Sequence, residues 1–195
     1  MQITLLSLLV SGYLAQAPSL SHHEALSIAS TEANTAEISC YGLLELEPEV
    51  GASYANPFNP EEIDVHAAFS HESGAETRVN GFYAQSFERH SENENESIIP
   101  TGKAGWRIRF TPPLAGRWQY QVQVTDRTGS VSSPVYPLTV TPSSHPGFIR
   151  SNKNNPSLFA FDSGHPFFAV GENMCWPGRR GTLDYDDWLS ALGTA

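Results

Sequence analysis

In the segment Trp118-Gln-Tyr-Gln-Val-Gln-Val124, three glutamines alternate with four apolar residues. A period of two belongs to a β-strand, whose successive side chains point to opposite faces; a helix would spread these residues around its circumference. Such a strand keeps one face in a core and the other in water, as antiparallel sheets do. The alternation recurs at Ile63, Val65, Ala67 and Phe69, with Asp64, His66 and Ala68 on the opposite face. It returns in Trp106-Arg-Ile-Arg-Phe110, where Arg107 and Arg109 point outward and are expected to pair with acids across the sheet. Trp106, Trp118 and Tyr120 fall on apolar faces, so core packing is expected of them rather than a platform for sugar rings.

Turn signals divide these runs: Asn56-Pro57, Asn59-Pro60, Ser73-Gly74, Pro112-Pro113, Ala115-Gly116 and Thr128-Gly129. Strands are expected near Ile38–Glu47, Ile63–Ser70, Asn80–Phe87, Trp106–Thr111, Arg117–Asp126 and Val135–Thr141. Short strands at this spacing, with no helical period among them, predict a mainly β fold: an immunoglobulin-like antiparallel β-sandwich over residues 37–143. Glu88–Glu96 (ERHSENENE) has no apolar period and reads as a solvated acidic loop; its carboxylates lack the spacing of a Ca²⁺ loop. Asn95-Glu96-Ser97 is a glycosylation sequon, meaningful only in a eukaryotic secretory host.

Composition removes several functions. With 39% hydrophobic and 16% charged residues the chain can bury a core, unlike a disordered segment. A formal charge of −10, from 11 Lys and Arg against 21 Asp and Glu, argues against nucleic acid and anionic membrane surfaces as partners. The 7 histidines show no metal-ligand spacing, and neither a phosphate-binding loop nor a nucleophile elbow is present, so no metal and no cofactor is expected. Cys40 and Cys175 fall in different modules and are expected as two unpaired thiols.

Ile3–Leu14 is a mostly apolar run of 12 residues, too short to span a bilayer, which takes ~20. Followed by Ala15-Gln16-Ala17, it fits the apolar region and cleavage site of a secretory signal over residues 1–17, which would place the protein outside the cell or in the periplasm. No Lys or Arg precedes the run and Pro18 would follow the cleaved bond; the alternative is a buried N-terminus. Residues 18–36, rich in Ser, Ala and Glu, read as a linker.

Past Pro142 the character changes. Asp162-Ser-Gly164 supplies a hairpin turn, and Pro166-Phe-Phe-Ala-Val-Gly171 reads as a continuous apolar strand buried on both faces. Thr182 or Asp184 can cap a helix over Leu183–Leu192, with Tyr185, Trp188, Leu189 and Leu192 on one stripe. Strand followed by amphipathic helix is a βα unit, which needs parallel partners for its strand. The chain is therefore expected to be a fragment cut after its first βα unit, with residues 144–195 forming a hairpin and that unit.

One series of residues resembles a known family. Asn56-Pro57, Gly81-Phe-Tyr83, Trp106-Arg-Ile-Arg-Phe110, Gly116-Arg-Trp-Gln-Tyr120, Gly147-Phe-Ile-Arg150, Phe159-Ala-Phe161 and Pro166-Phe-Phe-Ala-Val-Gly-Glu-Asn173 are similar to a bacterial two-part architecture. In it, an N-terminal β-sandwich of unassigned function precedes a (β/α)₈ glycoside-hydrolase-like barrel. The match runs from about Ile38 to Gly193 and departs from the pattern around Glu88–Pro100. The resemblance implies a secreted enzyme hydrolysing polysaccharide glycosidic bonds with two carboxylates. Those carboxylates would sit on later barrel strands, so no catalytic residue is assigned in this chain, and the piece itself is expected to be inert.

Barrel chemistry gathers at the C-terminal ends of the strands. Glu172, Asn173 and Trp176 follow the first such strand and are the candidate substrate-binding residues: Asn173 for hydroxyls, Trp176 for a sugar ring. Each also has a purely structural role open to it, local backbone bonding for Asn173 and loop packing for Trp176. Arg179 and Arg180 are expected in a solvated loop. The alternative to the hydrolase reading is a non-catalytic extracellular sandwich for glycan binding or adhesion, and a third is a structural spacer.

Overall fold

The computed structural model of the chain describes residues 22–92, 95–174 and 176–194. Among them it is mainly β, with one helix near the C-terminus. The first sheet has the order β1-β3-β7-β6, from His22–Ala33, Leu44–Tyr54, Asn95–Phe110 and Phe82–Glu92. The second has the order β2-β10-β8-β4-β5, from Glu37–Ser39, Tyr136–Thr141, Gly116–Asp126, Ile63–His71 and Glu76–Asn80, and β9 (Gly129–Ser132) also pairs with β8. All pairs are antiparallel except β2 with β10, which makes the second sheet mixed.

The two sheets face each other across one apolar core. Leu44 and Leu46 of β3 and Ile108 of β7 meet Val65, Ala67 and Phe69 of β4 and Val122 and Val124 of β8. Phe69 stacks on Phe110 with ring centroids 4.0 Å apart, a contact between the sheets. Trp106, Trp118 and Tyr120 are buried, as their alternation predicts. On the outer face Arg109 Nε donates to Glu45 at 2.5 Å and Arg107 lies 3.4 Å from Glu47, the cross-strand pairs the sequence suggests. Asp126 joins the sheets: its carboxylate accepts from the Ser53 N–H at 2.9 Å and from the N–H and hydroxyl of Thr128.

Three segments differ from expectation. Residues 22–33, within the stretch read as a linker, form β1, paired with β3. Two register breaks, at His23/Ser27 and Ile28/Ser30, interrupt the period, so only Leu26 and Ile28 keep an alternation, and both pack on the core. The acidic segment Glu88–Glu96 is no loose loop: β6 continues to Glu92, β7 starts at Asn95, and their ladder forms a hairpin arm. Exposed on both faces, an arm of this kind has no reason to alternate apolar with polar residues, which hides it from pattern reading. The apolar run after the Asp162–Gly164 turn pairs only at Pro166–Phe167, as β13. There it closes a small sheet with β11 (Ile149–Ser151) and β12 (Phe159–Phe161). Beyond it Phe168 and Val170 are 76% and 95% exposed, not buried on two faces.

The helix, α1, spans Leu183–Gly193 with Thr182 at its N-cap. None of its residues is buried, and Leu189 and Leu192 of its apolar stripe are exposed. No helix among the described residues is long and apolar enough to cross a membrane. The signal expected over residues 1–17 and the thiol of Cys175 lie outside the described residues. Cys40 is a buried free cysteine.

Candidate functional site

Glu172, Asn173 and Trp176 lie outside any helix or strand, between β13 and α1, all exposed, Trp176 by 88%. The structure gathers them into none of the hollows described below. Their neighbour Arg180 is engaged with acids of α1: its Nη1 lies 2.6 Å from Asp187 and 3.7 Å from Asp184. The Gly178 N–H donates to Asp184 at 2.6 Å, which folds the segment back over the start of the helix.

The hairpin arm reaches this same helix start. In the β6–β7 register Arg89 stands opposite Ile98 and Ser91 opposite Glu96, which puts Arg89 and Glu96 on one face of the arm. Glu96 accepts the Thr182 N–H at 2.8 Å and also the Thr182 hydroxyl. Arg89 donates to the Thr182 hydroxyl oxygen at 3.0 Å and to Asp186. The two bonds from Thr182, side chain first, hold the Glu96 carboxyl below the ordinary glutamate range. A carboxylate at a helix N-terminus also meets the positive end of the helix dipole. Gly181, at φ +61°, passes directly beneath the Glu96 side chain, where a β-carbon would collide. The acidic segment Glu88–Glu96 is thus the clasp between sandwich and helix. Sequence reasoning missed it because both halves are local turn-like signals that only tertiary structure connects.

Two surface features of the sandwich complete the candidate sites. On the outer face of the second sheet, small Ala68 and Ser70 lie between Arg78 and Glu76 of β5 and Gln121 and Gln119 of β8. This leaves a shallow trough of mixed polar and apolar lining, about 320 Å³ in volume. At the edge where the chain crosses between sheets, Phe58, Phe82, Tyr83 and Trp106, with Pro57, Pro60 and Asn80, line a mostly apolar cleft of about 330 Å³. No group of three or more His, Cys, Asp or Glu among the described residues could hold a metal ion.

Residues 37–125, from β2 into β8, match the family model "Domain of unknown function (DUF5060)". No curated protein matches the chain. A solved structure of a candidate glycoside hydrolase from Bacteroides vulgatus is similar at 20% identity and a TM-score of 0.46. The match covers 69% of this chain and 22% of that one, so the chain spans about a fifth of the length of this structural relative.

Proposed function

We propose that this chain is the non-catalytic N-terminal part of an exported glycoside hydrolase, in which the sandwich supports a (β/α)₈ barrel acting on a polysaccharide. In this reading residues 37–143 are an immunoglobulin-like support module and residues 144–195 open the barrel. Residues 1–17 direct export. Glu172, Asn173 and Trp176 then face substrate at the barrel mouth, where a Trp face suits the C–H face of a sugar and an amide suits its hydroxyls. The motif order from Trp106-Arg-Ile-Arg-Phe110 to Gly-Glu-Asn173 supports the family reading.

The observation that carries it is the clasp. The arm invests an ion pair and three hydrogen bonds in orienting an 11-residue helix that contributes nothing to the sandwich core. A helix held this way, with Leu189 and Leu192 exposed, is placed to pack its apolar stripe against further α/β structure. The test measures reducing-sugar release from a panel of neutral and acidic polysaccharides by this chain and by the longest product of its reading frame. Release by the longer product alone supports the proposal. Activity of the isolated chain, or of neither, overturns it.

A further inference from the structure

We infer that the aromatic cleft at the β5–β6 crossing is a glycan-holding site, taking one or two rings of a neutral saccharide independently of any catalytic barrel. The inference deepens the proposed function, and rests on it only for the class of ligand.

The first observation is the loop between β3 and β4. Glu62 accepts the N–H groups of Ala55 and Asn56 at 2.7 and 3.0 Å and the side-chain amide of Asn59 at 3.1 Å. Asn56 accepts the Phe58 N–H at 3.0 Å, and Asn59 accepts the Glu61 N–H at 3.1 Å. Pro57 and Pro60 fix two further backbone angles. A loop this constrained could turn its one large apolar side chain inward, yet Phe58 is 66% exposed. A rigid loop presenting an open ring loses little entropy when a ligand covers that ring.

The second observation is how the ring is backed. Phe58 meets Tyr83 edge to face, centroids 6.3 Å apart, and Tyr83 meets buried Trp106 in the same way at 5.6 Å. The rings form a chain of edge-to-face contacts running from the core out to Phe58, so the outermost is supported from beneath. Gly81 keeps the crossing tight against β4, its N–H donating to the Val65 carbonyl at 2.6 Å.

The third observation is the polar rim. Asn80 is exposed beside the rings, and Asp64 is fixed by Arg78 at 2.7 Å and His66 at 3.2 Å. Aromatic surface with an amide and a carboxylate at its edge matches a sugar, whose C–H face is apolar and whose hydroxyls donate and accept. The carboxylate and the net charge of −10 disfavour an anionic ligand. The volume, about 330 Å³, sits at the lower end of the ~300–1,000 Å³ usual for small-molecule sites.

The experiment is calorimetric titration of the 195-residue chain with cellohexaose, xylohexaose, mannohexaose and maltohexaose, and with a proline decapeptide as the competing extended ligand. Binding of at least one hexaose is expected, weakened about tenfold by Phe58→Ala, as for an aromatic anchor. Asn80→Ala should weaken it less and Gln119→Ala, in the trough, not at all. Circular dichroism unchanged in Phe58→Ala excludes unfolding as the cause. Binding of no hexaose, binding indifferent to Phe58→Ala, or binding of the peptide alone overturns the inference. Hydrolysis is not read in this titration, so a failed hydrolase assignment and a failed glycan site give different results.

Discussion

Glu96 takes both the backbone N–H and the hydroxyl of Thr182, a residue 86 positions away in the sequence. One carboxylate at the tip of the hairpin arm therefore takes the N–H of the N-cap residue, the part a capping-box acid plays from within a helix, while Thr182 gives α1 no side-chain cap of its own.

Glu96→Ala should free the start of α1 while the sandwich stays folded. Amide exchange across Leu183–Asp187 should accelerate severalfold, with exchange in β4 and β8 unchanged, as read by hydrogen–deuterium exchange. Equal acceleration in both regions would mean that the arm stabilises the whole fold instead.

Acid should open the same clasp. The Glu96 carboxyl lies below its ordinary range in the folded protein, so its contribution is fully present above the unfolded value of ~4.3 and is lost as pH falls through the lower folded value. The amide resonance of Thr182 should therefore move toward a solvent-exposed position below about pH 4, within the acid limb described by that linkage. The movement should be absent in Glu96→Gln.

Phe69→Ala should be among the costliest single changes. Phe69 is fully buried and stacks on Phe110 between the sheets. Its removal leaves a cavity, and a loss of ~3–5 kcal/mol in urea unfolding is expected, with an unchanged m-value. A loss below ~1 kcal/mol would show that the sheets close over the gap.

Asp126→Ala should cost ~1–3 kcal/mol by stranding the N–H groups of Ser53 and Thr128. Burial pushes the Asp126 carboxyl up, but bonds from the Thr128 hydroxyl and from the N–H groups of Ser53, Thr128 and Gly129 outweigh it and hold it below the ordinary aspartate range. Its contribution is thus present above ~3.9 and lost in stronger acid. Wild type and Asp126→Ala should converge in thermal stability as pH falls below that value.

The sandwich core was legible because burial on one face enforces alternation. Trp118–Val124 and Ile63–Phe69 lie in paired central strands β8 and β4, whose inward residues are all buried. Arg107 and Arg109 were legible for the complementary reason, since outward residues of a half-buried strand pair with their cross-strand neighbours. The pattern fails where that constraint is absent. β1 is broken by two register shifts, and the arm has water on both sides. The run after Pro166 is apolar without being covered, so its composition suggested a buried strand that the ladder does not extend to form. Phe58 sits between two Asn-Pro turn signals that were read only as punctuation, and local sequence cannot tell whether an aromatic ring in a turn folds inward or is held open. The expected contacts Glu172, Asn173 and Trp176 depended on resemblance rather than on pattern.

Strand β7 runs from Asn95 at the tip of the arm to Phe110 in the core, and its ladder to β6 breaks midway, between the pairs Ser86–Thr101 and Ala84–Gly105, where Gly102 takes φ +63°. Its outer half grips the helix and its inner half carries Trp106 and Ile108, so the bulge lies between the grip and the core. Sliding the outer half of the ladder by a single residue would turn Glu96 away from Thr182, while the bulge and the pairing with β3 keep Ile108 in the interior. Helix placement is therefore inherited from the register of the arm alone, and a slipped arm would announce itself at α1 while the interior stayed silent.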